Sequence, residues 1–153
     1  MIVNFTLNGE PANARVVSPV SLLDVLRDQI GLRGSKSACE QGECGSCSIV
    51  LDGEVVCACL VMAGDVEGSE VTTVEGISSG DVLNGVQAAM HEAGAVQCGF
   101  CTPGIVVTAT ELFAANPHPS TEEIKSALAG NICRCTGYGA IVRALDSLAG
   151  RRS

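Results

Sequence analysis

Gln97-Cys98-Gly99-Phe100-Cys101-Thr102-Pro103-Gly104, answered by Cys133-Arg134-Cys135-Thr136-Gly137-Tyr138, is the pair of segments around which the rest of this 153-residue sequence arranges itself. Four thiols sit in two short loops, and each loop runs into a helix start. Thr102 can cap one helix with Pro103 in its first turn, and Gly137 and Gly139 lead into the other. Two partly positive helix ends would then face whatever the sulfurs hold, which suits an anionic object.

Outward from these loops the apolar residues recur at helical spacing. Val82, Leu83, Val86, Ala89, Met90 and Ala93 mark a helix that begins near Asp81 and stops at Gly94. Ile105, Val106, Ala109, Leu112 and Phe113 follow Thr102 and run to Asn116 and Pro117. Ser120 and Glu123 form a capping-box pair ahead of Ile124, Ala127 and Leu128, with Gly130 as the stop. Ile141, Val142, Leu145 and Leu148 make a last amphipathic helix. Four helices in this order predict a compact bundle, with the two cysteine loops meeting at one end.

The N-terminal half reads differently. Ile2, Phe5 and Leu7 open a strand pattern, and Asn8-Gly9 is the signal of a tight hairpin whose second strand is expected at about residues 12–17. Ser21 and Asp24 start a helix with Leu22, Leu23, Val25, Leu26 and Ile30 on its apolar face, ended by Gly31. Next comes Cys39-Glu40-Gln41-Gly42-Glu43-Cys44-Gly45-Ser46-Cys47. Four residues separate its first two thiols and two the next, the spacing of plant-type [2Fe-2S] ferredoxins. Gly42 and Gly45 let the backbone turn its amides toward the sulfurs. Residues 48–51 and 54–60 are expected as strands around an Asp52-Gly53 turn, with a last strand at 71–74 and a linker at 75–81. The fold class is therefore α+β: a sheet domain at 1–76 with one helix across it, then a helical domain at 77–153. A fourth ligand for the first loop must be Cys57 or Cys59. Strand alternation leaves both open, because residues two apart share a face.

Nine cysteines, an uneven number, fit metal or redox chemistry better than a disulfide framework. Residues 1–5 lack a secretory signal's basic start, and no apolar run approaches the ~20 residues of a membrane helix, so a cytoplasmic location without membrane insertion is expected. The net charge of -8 argues against nucleic acid, and the basic pair Arg151 and Arg152 reads as a frayed terminus. No acid-base or nucleophilic constellation is visible. His91 and His118 read as surface residues, Ser46 and Ser48 have no triad, and Lys36 has no phosphate loop.

Zinc could occupy four thiols at the C-terminal spacing. Against it stands the first loop, whose ferredoxin spacing and long gap to a fourth ligand differ from the paired ligands of structural zinc sites. Two four-cysteine sites using eight of nine thiols describe an electron relay, with the substrate chemistry elsewhere.

Cys39 to Cys47, then Cys59-Leu60, then Gln97 to Gly104, then Gly130-Asn131-Ile132-Cys133-Arg134-Cys135-Thr136-Gly137-Tyr138, in that order, resemble the small iron-sulfur subunit of the xanthine oxidase family of molybdenum hydroxylases. The resemblance covers about residues 2 to 148. It implies a ferredoxin-like β-grasp domain followed by a four-helix-bundle domain, each with one [2Fe-2S] cluster. It implies a large partner subunit with a molybdopterin cofactor and a medium one with FAD. By position, Cys39, Cys44, Cys47 and Cys59 would hold the cluster near the flavin, and Cys98, Cys101, Cys133 and Cys135 the one nearest molybdenum. Gln97 and Cys135 would touch the pterin. The family usually lacks a cysteine at the position of Cys57, which favours Cys59 as the ligand. Two rivals remain: a free-standing two-cluster ferredoxin-type carrier and a zinc-stapled interaction module.

Overall fold

The computed structural model describes residues 1–151. Arg152 of the terminal basic pair lies outside the described residues, as does the side chain of Arg151.

Strands β1 (Ile2–Leu7) and β2 (Glu10–Arg15) form the first hairpin. Asn8 and Gly9 turn it with φ of 52° and 84°, the left-handed pair that a two-residue turn matched to strand twist requires. Because the turn is this short, Leu7 faces Glu10 directly, and β2 starts and ends two residues earlier than the alternation suggests. Val3, Phe5 and Leu7 point inward; Ile2 faces out. Strands β3 (Ser48–Leu51), β4 (Glu54–Cys57) and β5 (Glu70–Thr72) complete one sheet in the order β2-β1-β5-β3-β4. β5 runs parallel to β1 and antiparallel to β3, so the last strand fills the centre of a β-grasp sheet.

Helix α1 (Leu22–Asp24) starts at Ser21, whose Oγ accepts the Asp24 amide, and continues as a wide turn over Val25–Gln29. Leu22, Leu23, Val25 and Leu26 are buried against the sheet. Full burial of one such side chain contributes roughly 1.5–3 kcal/mol. β4 ends at Cys57 rather than reaching Leu60. Residues Ala58–Leu60 make a tight 3₁₀ turn closed by the Val61 amide on Ala58 O, so the chain leaves the sheet between the two cysteines.

The segment read as a linker is pinned in places. Glu75 accepts the Gly34 amide and the Thr73 hydroxyl, both at 2.6 Å. Helix α2 (Gly85–Glu92) begins later than Asp81, because Asn84 with Gln87 forms the capping box; Val82 and Leu83 stay exposed. Helices α3 (Thr102–Ala115), α4 (Thr121–Leu128) and α5 (Gly139–Arg151) follow. Thr102 is the first helical residue and not the cap. The preceding Cys101 holds that place without a side-chain bond. Ser120 and Glu123 form the expected box. Val86, Met90, Ile105, Phe113, Ile124, Ile141 and Leu145 make a second core, distinct from that under the sheet. Among the described residues no helix is long and apolar enough to cross a membrane.

Candidate metal centres

The N-terminal site is one loop folded back on itself. Glu40, Gly42 and Gly45 have φ of 55°, 76° and 70°, which curls the chain around the first thiol. The Gln41, Glu43 and Cys44 amides lie 3.5, 3.4 and 3.4 Å from Cys39 Sγ. The amides of Gln41, then Cys44 and Glu43, hold the Cys39 thiol down to about 6. Cys47 is buried at the start of β3 and accepts a bond from the Cys59 amide. Burial pushes the Cys47 and Cys57 thiols up, and burial with the Cys47 thiol pushes Cys59 up to about 11. Cys59 receives the Gly42 amide, while Cys57 Sγ lies 3.9 Å from Gly42 O. Both candidates therefore reach the loop, but on different structure: Cys57 is the last residue of β4 and Cys59 sits in the turn beyond it.

The C-terminal site is assembled from two loops. Cys98 and Cys101 precede α3, while Cys133 and Cys135 lie between α4 and α5. These four thiols line a cavity of about 200 Å³, and Cys44 and Ser46 of the N-terminal loop share its wall. Cys98 and Cys135 are exposed with their sulfurs 3.4 Å apart; Gln97 beside them is exposed too. Cys133 is buried, and its sulfur meets Thr136 Oγ1 at 3.0 Å. Burial alone would raise the Cys133 thiol, yet the hydroxyl and amide of Thr136, with further bonds from Cys101 and Cys135, bring it down to about 7. Burial and the adjacent Cys133 push Cys101 up to about 12. The Phe100 amide, then the Cys135 thiol, lowers Cys98, and Cys98 in turn raises Cys135.

Tyr138 fixes this second loop. Its hydroxyl accepts the Cys133 amide and donates to Asn131 O, both at 2.8 Å. The loop also touches the first site: the Ile132 amide donates to Cys44 O at 2.9 Å, and Asn131 Nδ2 donates to Gly45 O at 3.1 Å.

The donor sets fit iron-sulfur clusters. Each site gathers thiols of which some are poised to ionise and others, crowded beside them, are not, a conflict that a positively charged metal core relieves. Among the described residues no three His, Cys, Asp or Glu side chains converge as ligands of one ion do. Amides aimed at Cys39 add the hydrogen bonds that stabilise cluster sulfurs.

Residues 5–83 match the 2Fe-2S iron-sulfur cluster binding domain, and residues 73–146 match the [2Fe-2S] binding domain. The nicotinate dehydrogenase small FeS subunit of Eubacterium barkeri is 43% identical over 136 residues, 89% of this chain and 87% of that one. The xanthine dehydrogenase iron-sulfur-binding subunit of Escherichia coli O157:H7 is 44% identical over 142 residues, 92% of this chain and 89% of that one. The chain belongs to the iron-sulfur subunits of the xanthine oxidase family. Solved structures agree with that membership. Quinoline 2-oxidoreductase from Pseudomonas putida 86 superposes with a TM-score of 0.94 at 43% identity, over 99% of this chain and 95% of the matched one. Aldehyde oxidoreductase from Desulfovibrio gigas gives 0.91 at 42% identity, over 98% of this chain but 17% of that much longer one.

Both matched domains are [2Fe-2S]-binding ones, which supports iron-sulfur clusters in this chain. All eight thiols singled out by spacing and family position lie at one of the two sites, and Cys57 joins the first as a fifth. Sequence reasoning attached no role to Tyr138, Thr136 or Asn131, although all three stand inside the quoted motif. Their hydrogen bonds depend on contacts between loops, and only the density of polar residues around Cys133 could have pointed to them.

Proposed function

We propose that this chain is the electron-transfer subunit of a molybdenum-containing hydroxylase or dehydrogenase. Cys98, Cys101, Cys133 and Cys135 hold the cluster nearer molybdenum, and Cys39, Cys44, Cys47 and Cys59 hold the cluster nearer FAD. Gln97 and Cys135 meet the pterin. The large molybdopterin subunit and the medium FAD subunit are separate chains in a cytoplasmic hetero-oligomer, and the substrate binds in the large one. Within this chain the division falls at 76/77, between the sheet core and the helical core. The two domain matches, which overlap across 73–83, support a boundary in this stretch.

The observation that carries this reading is the arrangement of the two thiol sites. One is open to solvent at Cys98 and Cys135, and its far wall is the N-terminal loop, joined through the Ile132 amide to Cys44 O. Each cluster, when bound, takes up and gives back a single electron. The residues of this chain do the rest. Amides on Cys39 favour added negative charge at the first site, Thr136 does the same at Cys133, and Tyr138 holds the second loop rigid between oxidation states. The relatives named above act as nicotinate and xanthine dehydrogenases, and the matched structures as quinoline and aldehyde oxidoreductases, which supports one small subunit design serving different large subunits.

Cys101→Ser tests the reading in the intact complex by rapid-mixing absorbance. Molybdenum reduction by substrate persists and flavin reduction slows. Flavin reduction at the native rate would contradict it.

A further inference from the structure

We propose that Asn131 is a positioning residue for electron passage between the two sulfur sites: its side-chain amide holds them at a fixed separation and in bonded contact. The inference rests on the two-cluster reading above.

Asn131 is 4% exposed, one of few buried polar residues. Its backbone belongs to the C-terminal site. The carbonyl accepts the Tyr138 hydroxyl, which also takes the Cys133 amide, and its own amide donates to Leu128 O at 2.9 Å. Its side chain belongs to the other site. Nδ2 donates to Gly45 O at 3.1 Å and lies 3.4 Å from Ser48 Oγ. One residue thus ties the chain at Cys133 to the peptide next to Cys44.

The backbones around this side chain approach closely. A Cβ on Gly45 would collide with Gly130 O, and one on Gly104 with Gly45 O, so three backbone segments meet without side chains between them. The Asn131 amide fills the space that remains, 2.7 Å from the first of those Cβ positions and 3.1 Å from the second. A second link runs beside it, from the Ile132 amide to Cys44 O at 2.9 Å. Electron exchange between fixed centres falls steeply with separation and is favoured by a bonded route. A junction that slackens by a fraction of an ångström therefore changes the exchange without changing either centre.

Asn131→Ala removes the tie gently. Gly45 O keeps the Ser48 hydroxyl at 2.7 Å and the Ser48 amide at 3.1 Å, so no buried acceptor is orphaned. Asn131→Asp keeps the shape and sets a carboxylate oxygen against Gly45 O, a stronger disturbance of the same contact. Both variants are compared with the native full chain carrying its clusters, chemically reduced, by low-temperature electron paramagnetic resonance and iron analysis. In N131A the iron content and the position of each cluster's own signal stay native, while the magnetic splitting between the two signals shrinks; in N131D it shrinks further. Native splitting in both variants overturns the proposal. Loss of a cluster from N131A also overturns it, since Asn131 would then support one site rather than the distance between two. A native chain without two paramagnetic centres would instead refute the two-cluster reading itself.

Discussion

At the N-terminal site Cys39, Cys44 and Cys47 come from a single loop, whereas at the C-terminal site no loop supplies more than two of the four thiols. The first is backed by a sheet core, its Cys47 is buried, and its backbone amides converge on one sulfur. The second is held by side-chain hydroxyls, those of Thr136 and Tyr138, and leaves Cys98 and Cys135 at the surface. The contrast fits two positions in a relay. In the proposed relay both sites face another subunit, the second through the exposed Cys98 and Cys135 and the first through a loop whose amides wrap Cys39.

The largest effect expected from this contrast is at the ambiguous ligand. Cys59→Ser removes the N-terminal cluster's paramagnetic signal and leaves the C-terminal one intact, while Cys57→Ser keeps both. Loss of the signal from Cys57→Ser alone would reverse the assignment. Next comes the junction. Gly45→Ala meets both a φ of 70° and the Gly130 carbonyl, and is expected to destabilise the protein by about 3 kcal/mol or more, read as a lowered Tm.

Tyr138→Phe separates the two sites more finely. It removes the acceptor of the Cys133 amide and a donor to Asn131 O, at a cost of roughly 1–3 kcal/mol for the group left unpaired. Chelators should strip the C-terminal cluster faster and the N-terminal cluster at the native rate. The smallest effect concerns the metal-free chain, where Cys39 alkylation by iodoacetamide should be half-maximal near pH 6 and Cys133 near pH 7, with Cys101 and Cys59 still protonated at neutral pH. Thiolate is the reacting form, so each rate rises as pH climbs through the thiol's own value.

The same contrast decides what the sequence makes legible. Cys39 to Cys47 is a local pattern, and its spacing alone yields the loop. The Asn8-Gly9 hairpin and the Ser120 and Glu123 box are local too, and both form as read. The errors fall where a longer-range contact competes with local pattern. Alternation carries a strand through residues 54–60, but Val61 O takes the Leu22 amide and the Ala63 amide bonds to Val20 O, so the chain turns out of the sheet through Ala58–Leu60. Val82 and Leu83 continue an apolar helical period, yet Asn84, whose Nδ2 also donates to Thr110, starts α2 after them. Asn131 illustrates the limit, because a polar residue before a cysteine gives no hint that its side chain crosses to Gly45, 86 positions away.

The central claim, two iron-sulfur clusters at two separate thiol sites, is tested most directly by reducing the native full chain, together with Cys101→Ser and Cys59→Ser, and recording low-temperature electron paramagnetic resonance beside iron content. The account predicts two distinct signals in the native chain, with each variant losing a different one and about half the iron. A colourless zinc protein, a single signal, or one variant abolishing both signals would contradict it.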